Sequence, residues 1–332
     1  MTSVAIDTLW YTRCPVPSAS GIAISHGTIV VEYAPDGIAV RPITEAVHSD
    51  REAHFSHAMP ALFREGGNVP ALAAKASGGR TVLLGLTFVP EFQAIAVLPD
   101  SPFRELAELA GRRLILPDHG EGRVDFFRAM SLRGYHNAFA QSGLSLSGCE
   151  TIAVPRPKAV MGDKSLDSYA WEVEALQAGR GDAISVKGAL GADLVLSGAV
   201  RPIWTVDTAG PREPQINNGT PRTITVSAEL AEERPDLVVR YLKTLFRAAE
   251  WGRRHPRDVV SIVSGETGAT PAGVEHAYGA QVAANLRPSL APALLDHLED
   301  QKRFLLSHGF IERDFALGSW IAPEFLDRAL DE

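Results

Sequence analysis

Two short stretches of the chain hold residue types that could act together chemically. In the first, Cys14 is followed by Pro15-Val16-Pro17. The two prolines fix φ and remove backbone donors, so the chain cannot continue there as helix or central strand. The thiol is therefore expected on a stiff turn, where a binding site can use it. The second stretch runs from His54 to Arg64 and Gly66-Gly67. It offers an imidazole, a guanidinium fork that matches paired oxygens, and two glycines whose amides can approach a bound anion closely. The two stretches read as meeting around a small anionic substrate. Cys149 lacks such a context and reads as a small structural residue. His57 reads as a surface or outer residue. His48, His54 and His57 show no carboxylate partner at a metal-binding spacing, so neither a metal nor a cofactor is expected.

The elements that would position these groups follow from periodicity and punctuation. A strand over 4–11 leads into the Cys turn, and Ser18 caps a short helix over 18–26. Strand-like segments at 28–33 and 38–42 flank the turn Pro35-Asp36-Gly37. Pro60 at a first-turn position predicts a helix over 60–65, with Gly67 as a C-cap, and a second helix over 69–75. Strands are predicted at 80–88 and 93–98. A capped short helix, a glycine stop and a strand fill 101–117. Helices at 125–135 and 137–145, a strand at 150–154, a helix at 169–178, and strands at 181–186 and 200–206 complete the middle. After a strand at 223–226 the chain is helical: 227–233, 235–255, 256–264, 271–277, 291–308 and 323–330. Strands alternating with helices predict an α/β fold with mostly parallel sheets. Residues 1–90 and 207–332 are expected to form a discontinuous lobe I with the Cys/His/Arg site, and 91–206 an inserted lobe II. A ligand cleft between the lobes follows.

Bulk properties narrow the function. The chain has 332 residues, 45% of them apolar, and a formal charge of −8. That charge argues against nucleic acid, whose counterions must be replaced by a basic surplus. Two cysteines cannot form a secreted disulfide framework. Residues 1–7 lack the basic and apolar regions of a secretory signal, and no apolar run is long enough for a membrane span. A soluble, cytoplasmic monomer with a small-molecule partner is expected.

Several motifs carry a family resemblance. Tyr11 to Pro17 match a Tyr-x-x-Cys-Pro-Val-Pro motif. His54-Phe55 is followed ten residues after the histidine by Arg64-Glu65-Gly66-Gly67. Gly111-Arg112-Arg113-Leu114, Gln301 to Leu306 and Trp320 to Leu326 add weaker matches. Together they resemble the aromatic sulfinate desulfinases, within the type II periplasmic-binding-protein-like fold. The match is poorest over 118–200, which would supply the pocket wall. The resemblance implies a hydrolase that cleaves an aryl carbon–sulfur bond and releases sulfite and the arene. Cys14, His54 and Arg64 would be catalytic, and Arg64, Gly66 and Gly67 would bind the sulfinate.

Two routes fit these residues. The Cys14 thiolate could attack sulfur, or the neutral thiol could protonate the ipso carbon. A bound anion raises a neighbouring thiol's pKa, which favours the second. Two other readings use the same residues. One is a solute-binding protein for a sulfonate, sulfinate or carboxylate. The other is a same-fold Cys/His enzyme for a more polar substrate, suggested by Asp118, Glu121, Arg123 and Lys187. A pyrimidine-synthase-like enzyme of thiamin biosynthesis is disfavoured, because its Cys-rich motif is absent.

Overall fold

A computed structural model of the protein describes residues 6–163, 168–279 and 282–331. The start of the predicted first strand, Val4 and Ala5, lies outside them. One sheet holds β1 (Thr8–Arg13), β2 (Ala39–Pro42), β3 (Leu62–Gly66), β4 (Thr81–Thr87) and the late strand β10 (Arg222–Ser227), in the order β2-β1-β3-β10-β4. A second sheet holds β5 (Gln93–Val97), β8 (Ile184–Lys187) and β9 (Arg201–Thr205), and β6 (Arg113–Asp118) pairs with β7 (Glu150–Pro155). β10 runs antiparallel to both β3 and β4, and β5 is antiparallel to both neighbours. The first sheet is thus mixed, the second is antiparallel and β6–β7 is parallel, where mostly parallel sheets were expected. The chain leaves the first sheet after β4 and re-enters between β3 and β4, which forces β10 to run the other way.

The crossing points are tied by buried amides. Asn217 Nδ2 donates to Gln93 Oε1 (2.9 Å), and Gln93 Nε2 donates to Gln215 O (2.8 Å). Asn68 Nδ2 donates to Asn217 O and Pro221 O, both at 2.8 Å. Asn68 Oδ1 and Gln215 Oε1 are left without a partner, so the donated bonds alone tie the crossing segments together.

Helices cover the sheets. In the first half these are α1 (Ala19–Ser25), α2 (Thr28–Tyr33), α3 (Ala53–Ser56), α4 (Asn68–Ala76), α5 (Phe126–Gln141), α6 (Ala170–Gln177) and α7 (Gly188–Leu196). The later ones are α8 (Ala228–Glu233), α9 (Pro235–Arg254), α10 (Pro256–Thr267), α11 (Pro271–Tyr278), α12 (Pro292–Ser307) and α13 (Pro323–Asp331). Proline stands at the first turn of α9, α10, α11 and α12, as the sequence led us to expect.

Three elements differ from expectation. Residues 28–33 form helix α2, not a strand: Ile29 and Tyr33, four apart, are buried while Val30 and Val31 are exposed. Tertiary packing overrides the β-branched composition there. Residues 62–66 form strand β3, where a helix over 60–65 was expected. All of β3 is buried, so it shows no polar alternation. The proline that suggested a helix precedes Ala61, whose φ of 51° turns the chain into the strand. Residues 126–141 are one helix, not two. Gly134 is no stop: a Cβ there would meet Ser185 Oγ at 2.1 Å, so glycine lets α5 lie close on β8. Helix α7 was not foreseen.

Ser18 accepts a hydrogen bond from Gly21 N–H and so caps α1, the helix that receives the chain from the cysteine turn. Ser18→Ala is expected to lower the unfolding free energy by about 1 kcal/mol. Urea titration checks this, and an unchanged midpoint would mean the cap contributes nothing.

Candidate active site

Cys14 lies one residue past β1. Its N–H donates to Glu65 O of β3 (3.1 Å), and Val16 N–H closes the turn onto Cys14 O (2.9 Å). The thiol therefore stands at the ends of two adjacent central strands, on a turn that proline has stiffened.

His54, on α3, reaches the same point. Its Nε2 is 3.9 Å from Cys14 Sγ, and its Nδ1 is 2.7 Å from Thr12 Oγ1. Thr12 stands two residues before Cys14, and its hydroxyl orients the imidazole. Sequence reading missed Thr12, although an i, i+2 partner of the cysteine was the place to look. His57 is buried, not at the surface, and holds a left-handed backbone (φ 58°) at the end of α3.

Arg64 is 1% exposed. Its Nε donates to His54 O (2.9 Å), and Nη1 donates to Gly67 O (3.1 Å) and Thr223 Oγ1 (3.5 Å). Nη2 has no hydrogen-bond partner, and among the described residues no carboxylate pairs with this guanidinium. It sits behind the thiol rather than in the cavity wall. A Cβ on Gly66 would lie 2.7 Å from Cys14 Sγ and 3.1 Å from Arg64 Nη2, so glycine is required for this close approach. Gly67 N–H donates to Cys14 Sγ (3.4 Å), where a contact to substrate oxygens was expected. A Cβ on Gly67 would strike the Asn218 amide at 2.4 Å. Cys14, His54, Arg64, Gly66 and Gly67 thus come together. Cys149 lies apart, its thiol directed at Leu109 O (3.5 Å).

A cavity of about 530 Å³ opens over Cys14, with Gly67 and His54 in its lining. Phe55, Phe126, Phe127, Met130 and Met161 make one wall apolar. Three of these come from α5, in the stretch expected to be too polar for an aryl group. Arg123 lies over the Phe55 ring, 3.7 Å from its centroid, and binds Glu52 (2.7 Å). Lys187 is held by Glu91 (2.6 Å). Paired in this way, these charges leave the aromatic wall apolar. The signal for it was the Phe126-Phe127 pair directly after the Asp125 cap.

Burial, reinforced by the nearby Arg64 charge, holds the His54 imidazole well below its usual pKa, and burial with Arg64 does the same to His57. Both rings are neutral at neutral pH. Among the described residues no group of three His, Cys, Asp or Glu side chains could hold a metal ion, and no helix is long and apolar enough to cross a membrane.

The strand order and the cavity define a two-lobed α/β protein of the periplasmic-binding-protein-like class, with a thiol and an imidazole at its cleft. The comparisons agree. No family model matches the chain. Over its full length it is 28% identical to 2'-hydroxybiphenyl-2-sulfinate desulfinase of Rhodococcus erythropolis, covering 96% of that protein, and equally to the enzyme of Rhodococcus qingshengii. The structure matches the desulfurization enzyme DszB with a TM-score of 0.78 at 26% identity, over 98% of this chain and 99% of that one. A cysteine-to-serine mutant of DszB in complex with biphenyl-2-sulfinic acid matches at 0.77. The periplasmic aliphatic sulphonate binding protein SsuA of Escherichia coli shares the fold, with a TM-score of 0.68 at 15% identity over 96% of this chain. The chain thus resembles the aromatic sulfinate desulfinases from end to end.

The neutral imidazoles have a measurable consequence. The unfolded chain protonates His54 and His57 near pH 6.5, while the folded protein resists doing so. Stability is therefore full above about pH 6.5 and falls as pH drops, by up to about 1.4 kcal/mol per pH unit for each ring. Urea midpoints between pH 7.5 and 5.5 check this. A flat profile, or NMR signals of charged imidazole at both rings at pH 6, would contradict it.

Proposed function

We propose that this protein hydrolyses an aryl sulfinate, releasing sulfite and the arene, with the Cys14 thiol as proton donor. The observation that carries the reading is a buried guanidinium, Arg64, with no carboxylate and one empty nitrogen, directly behind a thiol at the floor of an aromatic-walled cavity. An unpaired buried cation calls for an anion. The sulfinate of an aryl substrate would meet this charge from the cavity side of the thiol, without direct contact, with the ring against Phe55, Phe126 and Phe127.

The neutral state of His54 supports the second of the two routes. A thiolate nucleophile of the Cys–His type needs its proton stored on the imidazole. Burial and the Arg64 charge oppose an imidazolium here, which supports the route that stores no proton on His54. The ring π electrons accept the proton at the ipso carbon. The carbon–sulfur bond then breaks, its electron pair restores the arene, and sulfur leaves as SO₂. Water adds to SO₂ to give bisulfite and a proton, which returns to the thiolate. Gly67 N–H, aimed at Sγ, and the Arg64 charge stabilise that thiolate while it lasts. His54, oriented by Thr12, borders both the thiol and the cavity and can guide the water. A cytoplasmic location and a monomeric state remain part of this proposal.

Sulfite release from biphenyl-2-sulfinate is the direct test. We expect it from the wild type and at least about a thousand-fold less from Cys14→Ser, which should still bind the ligand. Sulfite from the serine variant would remove Cys14 from the chemistry. Reversible binding without sulfite from the wild type would make this a solute-binding protein. A charge at about 5 Å in an effective dielectric of about 20 contributes roughly 3 kcal/mol. Arg64→Met should therefore weaken sulfinate binding by about a hundred-fold, read by calorimetry, while a neutral biphenyl is held as before. Equal losses for both ligands would show a packing role only.

A further inference from the structure

The polar groups nearest Cys14 are arranged around its sulfur rather than around the group that leaves. Gly67 N–H donates to Sγ (3.4 Å), and His54 Nε2 lies 3.9 Å from it. Arg64 spends Nε and Nη1 on protein oxygens, and its Nη2 is buried behind the thiol. Asn218, also in the lining, is engaged at both ends. Its Nδ2 donates to Met130 Sδ (3.3 Å), and its Oδ1 accepts from Val69 N–H (2.9 Å).

The cations of the lining are matched as well. Arg13 pairs with Glu266, Arg156 with Glu172 (3.3 Å) and Lys187 with Glu91 (2.6 Å), and all three acids line the same cavity. The buried Glu65 carboxyl acts electrostatically on Arg222. In the desulfination proposed above, negative charge starts on the sulfinate and ends on Sγ. The N–H of Gly67 and the Arg64 charge stand where that charge arrives, and such groups lower the barrier more than they tighten binding. Neither makes a contact that reads the departing atom. They would act alike on any ring anion that sheds a neutral triatomic as the ring takes the proton.

We propose that the same site decarboxylates electron-rich arenecarboxylates, with Cys14 as the proton donor. This rests on the ipso-protonation reading of the site and extends it to a second leaving group. The S–H bond breaks, and its proton forms a C–H bond at the ipso carbon. The carbon–carbon bond to the carboxylate then breaks, its electron pair restores the arene, and CO₂ departs. Sulfur is left as a thiolate beside Gly67 N–H. Water adds to CO₂ to give bicarbonate and a proton, which returns to Sγ, so nothing is oxidised or reduced. A hydroxyl next to the ipso carbon is required of the substrate, because it supplies the electron density that accepts the proton. The ring lies against Phe55, Phe126 and Phe127, in a cavity of about 530 Å³.

The test gives the protein 2-hydroxy-1-naphthoate and follows 2-naphthol by chromatography. Naphthalene-1-sulfinate, with sulfite as its readout, is run in parallel. We expect 2-naphthol at least about a hundred-fold faster than in buffer, and loss of that gain in Cys14→Ser. If the serine variant loses cooperative unfolding, Cys14→Ala takes its place. Unactivated 1-naphthoate should give no arene and should instead compete with the sulfinate, slowing sulfite release. Formation of 2-naphthol no faster than in buffer, whether or not the acid binds, would overturn the proposal, and so would formation that persists without the thiol. Sulfite without 2-naphthol would leave the desulfinase reading standing and remove this one. The acid's conversion without sulfite would do the reverse.

Discussion

The site depends on one buried guanidinium that pairs with no carboxylate among the described residues. Arg64 spends its Nε and Nη1 donors on the backbone carbonyls of His54 and Gly67. In doing so it ties α3 to the end of β3 and fixes the imidazole's position from behind. Burial, reinforced by its charge, keeps His54 neutral. A surface arginine would do none of this, because water would screen it. Placing the cation in the middle of a central strand makes it costly, and that cost makes the site selective for anions.

Glycine is the second constraint, and at two adjacent positions it acts through space rather than through dihedral freedom. Gly66 makes room for the sulfur beside the guanidinium, and Gly67 makes room for the Asn218 side chain. Asn218 in turn accepts from Val69 N–H at the start of α4 (2.9 Å). The thiol, the cation and the returning strand that carries Arg222 are therefore packed as one unit. A change at either glycine would reach all three.

The two-lobed frame is shared with sulphonate-binding proteins, and a shared frame does not imply a shared activity. Such a frame supplies a cleft. What this chain adds is a thiol within reach of a neutral imidazole, and an aromatic wall contributed by α5. In the proposed function the frame binds and the added groups carry the proton.

Much of this was legible in the residues alone. Cys14-Pro15-Val16-Pro17 required a turn whatever surrounded it, because proline restricts φ locally. Proline-started helices from α9 onward, and the strands at 81–87 and 93–97, followed from local pattern in the same way. Strand β3 did not, because a fully buried strand shows no alternation, and a local proline signal pointed to helix instead. With 60–65 read as a helix, nothing in the sequence placed Arg64 in the interior. Only the fold could show it buried, unpaired and behind the thiol. The same holds for Thr12, Phe126 and Arg222. Short-range rules fix turns and caps, whereas charge pairing, burial and cavity walls arise between residues distant in the chain, and only tertiary packing brings those together.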